Sequence, residues 1–347
     1  MLALRLSGAA SDHSGKRAVP RTFTSAFSEP DDFQTAVSEE GVVGFLVTGR
    51  GQFRARLTQI ALHRLRLAAG EEELSRVALI TVPAGMVLVP LPIGGRPSPV
   101  WGGIETRTGE MITLGPGERV YARTGGPCGC GAIQVPAEDL VQYGRALSGA
   151  GFVVPPAARW RPPPIAGRDF RSLYRAAIRM AETRSITLVD IEAAHGLEQQ
   201  LIHALVECLS AGSAEEETPA ARRHRGIPAR FEDLLQAEPF LQITEICAAL
   251  GVSARVLREC CKKHLDMGPS RYRRLRRMQR VHSALRSRHP RAASVLEVAN
   301  RYGIRDLGRF AGDYRALYGE LPSATLQRGS RPGGPELALG RPRVKFS

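Results

Sequence analysis

The sequence predicts an α+β protein of several domains, with a β-rich N-terminal part and an all-helical C-terminal part. Between Val42 and Val135 the apolar residues form short runs, separated in places by Gly and Pro turns, as in antiparallel strands. From Leu241 to Leu317 they recur every three or four positions, as in amphipathic helices. Three consecutive prolines, residues 162–164, exclude helix and mark a boundary between the two parts.

The apolar runs predict strands that form an antiparallel barrel or sandwich within residues 29–160. Residues 1–28 mix Ser, Gly, Arg and Ala without a period, so they are expected to lack a fixed structure. The same expectation holds for the tail 329–347, which is rich in Gly, Pro and Arg. The predicted strands are residues 42–47, 53–60, 62–67, 77–82, 86–91, 111–114, 120–122 and 132–135.

A helical segment, residues 165–212, is predicted to follow, with helices at about 169–183 and 188–209. The second helix carries a stripe of Leu197, Leu201, Leu205 and Leu209, widened by Ile202 and Val206. Two interpretations fit this stripe equally well, packing against the β-rich domain or a dimer interface. The polar segment 213–227 is expected to be a linker that lets the two halves of the chain move relative to each other.

The first unit of the C-terminal part, Leu241 to Leu265, has the pattern of a helix-turn-helix. Gly251 ends its first helix because glycine adopts unusual backbone angles, and Ser253 is placed to cap the second helix. The apolar residues of that second helix are expected to face inward. Its polar residues form the opposite face, which suits base edges and phosphates: Arg255, Arg258, Glu259, Lys262 and Lys263.

A second unit, Ser294 to Leu317, repeats this layout. Ser294 and Glu297 form a capping box, Gly303 turns the chain, and a helix is predicted from about Asp306 to Tyr318. Between the units, apolar residues at helical spacing alternate with six arginines, so a basic linker helix joins them. These arginines are Arg271, Arg273, Arg274, Arg276, Arg277 and Arg280.

The charge distribution independently indicates a nucleic-acid partner. From Ala220 onward the sequence has 26 Lys and Arg against 11 Asp and Glu, whereas the residues before it have 22 and 23. The excess of +14 over the whole chain is therefore confined to the part that contains the two units. A basic run alone is more often a solvated face, but here it coincides with motifs that need it.

The region from about Arg230 to Gln327 resembles the DNA-binding domain of the AraC/XylS family of bacterial transcription regulators. The stretch Ile243 to Ser253 followed by Leu257 is similar to the first unit of that family. The residues similar to the remainder of the family's domain are Met267-Gly-Pro269, Tyr272, Arg276, Val295 to Ala299, Tyr302-Gly303, Phe310 and Pro322-Ser323.

The resemblance implies a sequence-specific transcription regulator. It implies an activator rather than a repressor because activators are the more common members of the family. It implies a cupin-like β-barrel at the N-terminus that binds a small-molecule effector. Its expected partners are double-stranded DNA, RNA polymerase for an activator, and a second copy of the chain in a homodimer. Trp101, Glu105 and Tyr121 are candidates for lining an effector site.

Departures from the family pattern indicate that the two units are not equivalent. Cys261 and Ile304 replace Phe, and Asp266 replaces Gly. In the second unit, Gly308 and Gly312 occupy positions that usually face bases. We therefore expect the first unit to determine most base specificity and the second mainly to contact phosphates. The residues predicted to contact DNA are Arg255, Arg258, Glu259, Lys262, Arg305 and Arg309.

The sequence favours a non-enzymatic protein without a metal or other cofactor. His63 is the only histidine between Val42 and Val135, which disfavours a metal-dependent oxygenase. The six cysteines show no zinc-finger spacing, although Cys128 and Cys130 are placed to bind a soft metal or to sense an oxidant; a simple turn is the competing interpretation. No apolar run reaches a membrane span, and a cytoplasmic location is expected.

Two alternatives belong to other functional classes. An effector-independent or architectural DNA binder would also explain the basic tail and the lack of side chains at two base-facing positions of the second unit. A DNA-repair protein of the alkyltransferase type, fused to the DNA-binding domain, would need a reactive cysteine in a catalytic setting. Cys128 and Cys130 lack such a setting in the sequence, so this alternative ranks lowest.

Overall fold

The computed structural model describes residues 20–94, 98–106, 109–154, 157–183, 190–287 and 294–330. Of the segments expected to lack structure, 1–28 and 329–347, residues 1–19 and 331–347 lie outside this range. The expectation is wrong for residues 21–27, which form a strand because their backbone pairs with the neighbouring strand of a sheet. The described strands are β1 Arg21–Phe27, β2 Val42–Val47, β3 Ala55–Ala61, β4 Arg66–Glu72, β5 Arg76–Thr81, β6 Met86–Gly94, β7 Val100–Trp101, β8 Ile104–Glu105, β9 Met111–Leu114, β10 Arg119–Thr124, β11 Cys128–Pro136, β12 Ala157–Arg161 and β13 Ser213–Glu216.

The described helices are of very different lengths, from two turns to more than five. They are α1 Pro30–Ala36, α2 Ala137–Ser148, α3 Pro164–Glu182, α4 Ile191–Ser210, α5 Pro219–Ala237, α6 Ile243–Leu250, α7 Ala254–Leu265, α8 Pro269–Arg286, α9 Val295–Arg301, α10 Leu307–Tyr318 and α11 Pro322–Ser330. In the described ranges, none of these helices is both long and apolar enough to cross a bilayer.

The N-terminal part is rich in β-sheet, as predicted, but its strands form two antiparallel sheets. The larger sheet has the order β1-β3-β4-β11-β6-β9-β12-β13 and the smaller one β2-β5-β10-β7-β8. The described strands do not close into a barrel, so the expectation of a cupin-like closed barrel needs correction. The first and last described strands of each sheet pair with only one neighbour, so both sheets are open. The other predicted architecture, a sandwich of two sheets, therefore describes this domain.

The interior of the sandwich contains the facing side chains of both sheets. Ile80 and Val120 of the smaller sheet pack with Leu88 and Ile112 of the larger one. A second cluster joins Phe45 of the smaller sheet to strand β3 and helix α1. Since side chains alternate along a strand, the remaining residues of each sheet point outward and need a cover.

Helices α3 and α4 cover the outer face of the larger sheet. The leucine stripe of α4 is buried in this layer, with Leu201 and Leu205 each 1% exposed. Helix α3 comes close to the sheet at Gly131, where a Cβ atom would lie 2.4 Å from the Tyr174 hydroxyl. Within one chain, the stripe therefore packs against the β-rich domain, and it is not free to form a dimer interface.

Helices of the C-terminal domain cover the outer face of the smaller sheet. Leu46, Val77, Leu79 and Tyr121 point out of the sandwich and pack against residues of α5, α6, α7 and α8. The molecule is thus a stack of four layers, namely α3 and α4, the larger sheet, the smaller sheet, and the C-terminal helices. Both faces of the smaller sheet are covered because both carry apolar side chains.

The segment expected to be a linker, residues 213–227, differs from that expectation. Ser213–Glu216 forms β13, which pairs with β12. Pro219 begins α5, and the Thr218 hydroxyl caps it by accepting from the Ala221 amide at 3.2 Å. The composition is polar because this strand lies at a sheet edge and helix α5 begins at the surface. Backbone pairing and capping order the segment although it has few apolar side chains.

Candidate nucleic-acid interface

Helix α7 is the first candidate recognition helix, and its sequence explains its position. Gly251 ends α6 in the left-handed conformation with a φ of 66°. Ser253 then caps α7, its hydroxyl accepting from the Val256 amide at 3.2 Å. Leu257 and Cys261 are fully buried against the rest of the domain. The opposite face of α7 is consequently left to polar residues, as predicted.

The six residues predicted to contact DNA are all exposed in the structure. On α7, Arg255 pairs with Glu259 at 2.9 Å, and Lys262 pairs with Asp266 at 2.8 Å. Arg258 donates to the carbonyl of Ala254 at 3.0 Å. Exposed pairs of this kind contribute at most about 1 kcal/mol. Phosphates and base edges can therefore compete for these side chains, whose contact with DNA stays a prediction.

Asp266 occupies the position where the family pattern has glycine. Among the described residues it alone combines a side chain with a positive φ, 59°. Asp tolerates this region better than most residues, which explains how the turn survives the substitution. The hydrogen bond from Lys262 lowers the pKa of Asp266, and the Arg123 guanidinium, 3.9 Å from the carboxylate, acts in the same direction.

The second unit has the predicted layout, but its exposed face has fewer side chains that could contact DNA. Asp306 caps α10 by accepting from the Arg309 amide at 3.0 Å. Ser294 caps α9 by accepting from the Glu297 amide at 3.2 Å, which is one half of the predicted capping box. At Gly312 a Cβ atom would meet nothing within 4 Å, so this part of α10 offers only backbone to a partner.

A basic groove, which the sequence did not reveal, runs between α8 and α10 with a volume of about 350 Å³. Arg274 is paired with Asp313, whereas Arg273 donates to the Leu241 carbonyl at 2.6 Å. Part of the arginine run of α8 therefore holds the connection before α6 in place, and only the remainder is available to phosphates. The arginines that line the groove are Arg273, Arg274, Arg277, Arg305 and Arg309.

The β-rich domain contacts the helices that flank the two helix-turn-helix units. Arg119 of β10 forms a two-pronged ion pair with Asp233 of α5 at 2.7 and 2.8 Å. Near the second unit, Asp31 of α1 accepts from the Ser283 hydroxyl of α8 at 2.7 Å. These contacts therefore join the C-terminal domain to the sandwich through two of its helices, α5 and α8.

His264 lies buried where α7 meets the smaller sheet, next to Gly103. Burial lowers its pKa to about 4, and the nearby charges of Lys263, Arg225 and Arg123 act in the same direction. Neither ring nitrogen has a hydrogen-bond partner among the described residues. The imidazole is therefore neutral at pH 7 and serves as an uncharged contact between the domains.

A cavity of about 380 Å³ lies at the same boundary. Trp101 and Glu105, two of the three predicted lining residues, border it, whereas Tyr121 faces the C-terminal domain away from it. Arg225 and Lys263 of the C-terminal domain form another side. Sequence reasoning missed Arg225 and assigned Lys263 to the DNA-facing side of α7, because no motif indicates which residues of one domain contact another. The indole N–H of Trp101 has no partner within the described part of the chain.

Comparison with known proteins agrees with the C-terminal motifs. Residues 246–328 match the family model described as a helix-turn-helix domain. The probable thc operon regulatory protein of Rhodococcus erythropolis is 32% identical over 35% of this chain and 40% of its own length. The XylDLEGF operon transcriptional activator of Pseudomonas putida is 38% identical over 22% of this chain and 24% of its own length.

The matched segments thus span less than half of the length of these two relatives. Among solved structures, the AraC-like transcriptional activator CuxR aligns with 75% of this chain and 94% of its own, at 16% identity and a TM-score of 0.41. The relatives are transcription regulators by name. The C-terminal part of this chain is therefore a helix-turn-helix domain similar to those of the AraC/XylS family of regulators, as its motifs predict.

Proposed function

We propose that this chain is a sequence-specific transcription activator whose binding to DNA depends on a small molecule. The observation that supports it best is the pair of capped helix-turn-helix units, with Arg255 and Arg258 exposed on α7. The relatives from Pseudomonas putida, named activators, support the direction of control. An activator would have RNA polymerase as a further partner.

In this proposal the two units have different tasks. The N-terminal residues of a recognition helix usually contact base edges. Arg255 and Arg258 occupy that end of α7, whereas its other end contacts the smaller sheet through His264, next to Gly103. In α10 only Arg309 is available for a base, so the second unit, with the basic groove beside it, mainly contacts phosphates.

Footprinting of the full-length chain on genomic DNA tests the proposal. Two protected major-groove segments on one face, about 34 Å apart, are expected. Arg258→Ala should relax sequence preference by about 1–3 kcal/mol, more than Arg309→Ala does. Arg50→Ala, an exposed residue of the β-rich domain, controls for the loss of one charge. Uniform coverage of any DNA that moderate salt abolishes would contradict specific regulation and favour an architectural binder.

The cavity at the domain boundary is the proposed effector site. It is lined by Trp101, whose Nε1 has no partner among the described residues, and by a cation of the other domain, Lys263. A molecule with a hydrogen-bond acceptor could bridge them. Such a molecule would bind one arrangement of the domains better than another and would shift the population that engages DNA.

A thermal-shift screen of the full chain against small molecules tests this site. A true ligand should raise the unfolding temperature of the unmodified chain, and Trp101→Phe should reduce that rise. Ile165→Ala, at an exposed position of α3, is a suitable control. If no compound raises the unfolding temperature, or if Trp101→Phe leaves the rise unchanged, this effector site is wrong.

A further inference from the structure

Two cysteines lie close together at one end of the sandwich interior. Cys128 and Cys130 lie on β11, and their sulfur atoms are 3.4 Å apart. Residues two apart on a strand share a face, but their side chains are normally too far apart for this contact. Here the pairing of β11 with β6 shifts register between Gly129 and Cys130. Such a bulge bends the strand and changes the directions of the neighbouring side chains.

The surroundings of this pair differ from those of the other cysteines. Arg76, a buried residue of β5, donates to the Cys130 sulfur at 3.6 Å. The same guanidinium forms an ion pair with Glu72 at 2.8 Å. The hydrogen bond from Cys130 lowers the pKa of Cys128, and Arg76 lowers it further, although burial opposes both. Deprotonation is therefore eased at Cys128, and a thiolate next to a thiol is the state from which disulfides form.

Access and spacing also suit a reaction between the two sulfurs. Cys128 is 4% exposed, whereas Cys130 is partly exposed and borders a small cavity of about 80 Å³ inside the sandwich. A small oxidant that enters this cavity reaches Cys130, whose sulfur lies 3.4 Å from that of Cys128. A disulfide needs an S–S distance of roughly 2.05 Å, so only a small further approach of the sulfurs is required.

We propose that Cys128 and Cys130 form a redox site that a hydroperoxide oxidises to an intrachain disulfide. The thiolate sulfur attacks one peroxide oxygen, the O–O bond breaks, and the other oxygen leaves as an alcohol or water after taking a proton. This step produces a sulfenic acid. The second thiol attacks the sulfenic sulfur, the S–S bond forms, the S–O bond breaks, and water leaves. The two thiols together lose two electrons, which reduce the peroxide.

The other four cysteines provide internal controls. Cys208, Cys247, Cys260 and Cys261 are buried, and burial raises the pKa of the Cys208 and Cys261 thiols to about 12. Cys260 and Cys261 are adjacent on a helix, where side chains of neighbouring residues point in different directions. These four thiols are therefore expected to remain reduced when the pair is oxidised.

Mass spectrometry of the intact, full-length chain tests the proposal without any assay of DNA binding. Brief treatment with hydrogen peroxide should remove two hydrogen atoms from the mass, and alkylation followed by digestion should place the disulfide between Cys128 and Cys130. Cys128→Ser and Cys130→Ser should each abolish this product, whereas Cys208→Ser should retain it. The proposal would be overturned if the mass did not fall by two hydrogen atoms, or if the disulfide involved any other cysteine.

A second probe covers the case in which a serine variant fails to fold. Phenylarsine oxide binds tightly only where two thiols lie together, so one equivalent should bind to the unmodified chain. Prior peroxide treatment should abolish that binding. Reduction with dithiothreitol, which is removed before the arsenical is added, should restore it. A chain that binds the arsenical equally well before and after peroxide would overturn the redox site. Because neither measurement involves DNA, the result is independent of the proposed function.

Discussion

The hydroxyl of Tyr121, on β10, lies 3.1 Å from the hydroxyl of Tyr272, on α8, and both residues are buried. Tyr272 in turn donates to the buried carboxylate of Glu232 at 2.7 Å, and Arg276 donates to the same carboxylate at 3.0 Å. A polar chain therefore crosses the boundary between the sheet and the helix-turn-helix domain inside an apolar layer. It specifies one arrangement of the two domains, because any other would leave these groups unpaired.

Tyr272→Phe should destabilise the chain more than Tyr121→Phe. Removing the Tyr272 hydroxyl leaves an oxygen of Glu232 without its donor, which costs about 1–3 kcal/mol. Removing the Tyr121 hydroxyl leaves the bond to Glu232 in place and costs about 0.5–1.5 kcal/mol. Urea unfolding of both variants and of the double variant measures the difference. The double variant should lose less than the sum of the two single losses, and a larger loss for Tyr121→Phe would contradict this network.

The burial of His264 predicts a stability that falls as the pH is lowered. Its pKa is about 4 in the folded chain, against 6.5 for the unperturbed group. The unfolded state therefore binds more protons between these values, and stability rises with pH across that window. A loss on the order of 3 kcal/mol is expected between pH 6.5 and 4. His264→Gln should flatten the curve of stability against pH in this window relative to that of the unmodified chain. The carboxylates contribute equally to the curves of the two proteins, so the difference reports His264. Parallel curves would show that His264 is not protonated on unfolding.

Gly312→Ala should stabilise α10 by about 1 kcal/mol, because glycine is costly in a helix and a Cβ has free space there. Gly303→Ala is the matched control and should destabilise the chain. Its φ is 72°, and a Cβ would lie 2.7 Å from the Phe240 ring. Thermal unfolding of both variants measures the contrast. If Gly312→Ala instead lowered the unfolding temperature, the free space beside α10 would be in doubt.

Leu201→Ala should cost about 2–5 kcal/mol, because it opens a cavity in the apolar cluster that α4 shares with α3 and the larger sheet. Leu147→Ala, at an exposed position of α2, should cost much less. Analytical ultracentrifugation distinguishes packing from dimer formation. The Leu201→Ala variant should have the same sedimentation coefficient as the unmodified chain. A variant that keeps its stability but loses a dimer would restore the interface interpretation of the leucine stripe.

Much of the local structure could be predicted from the sequence. The apolar runs 42–47 and 111–114 coincide with β2 and β9, and Asp306 caps α10 at the predicted position. These features depend on short-range effects, namely alternation, periodicity and capping. Five strands were missed, β1, β7, β8, β12 and β13. β1 is largely exposed at a sheet edge and β13 forms the opposite edge, so backbone pairing orders them more than an apolar pattern does.

The arrangement of domains could not be predicted for a different reason. Every residue from Arg76 to Ile80 is buried, and the sequence indicates an apolar strand there without saying what covers each face. The same limit applies to the candidate site. The exposed face of α7 follows from helical periodicity, but the cavity beside Trp101 exists because Arg225 and Lys263 approach it from another domain.

The apolar outer face of the smaller sheet has a practical consequence for experiments that divide the chain. Leu46, Val77, Leu79 and Tyr121 are shielded from water by the C-terminal helices. A fragment that ends before α5 would present this face to solvent, and such fragments are expected to aggregate or to associate through it. Self-association of an excised N-terminal fragment would therefore report the missing domain, and it would be misleading evidence for a natural dimer.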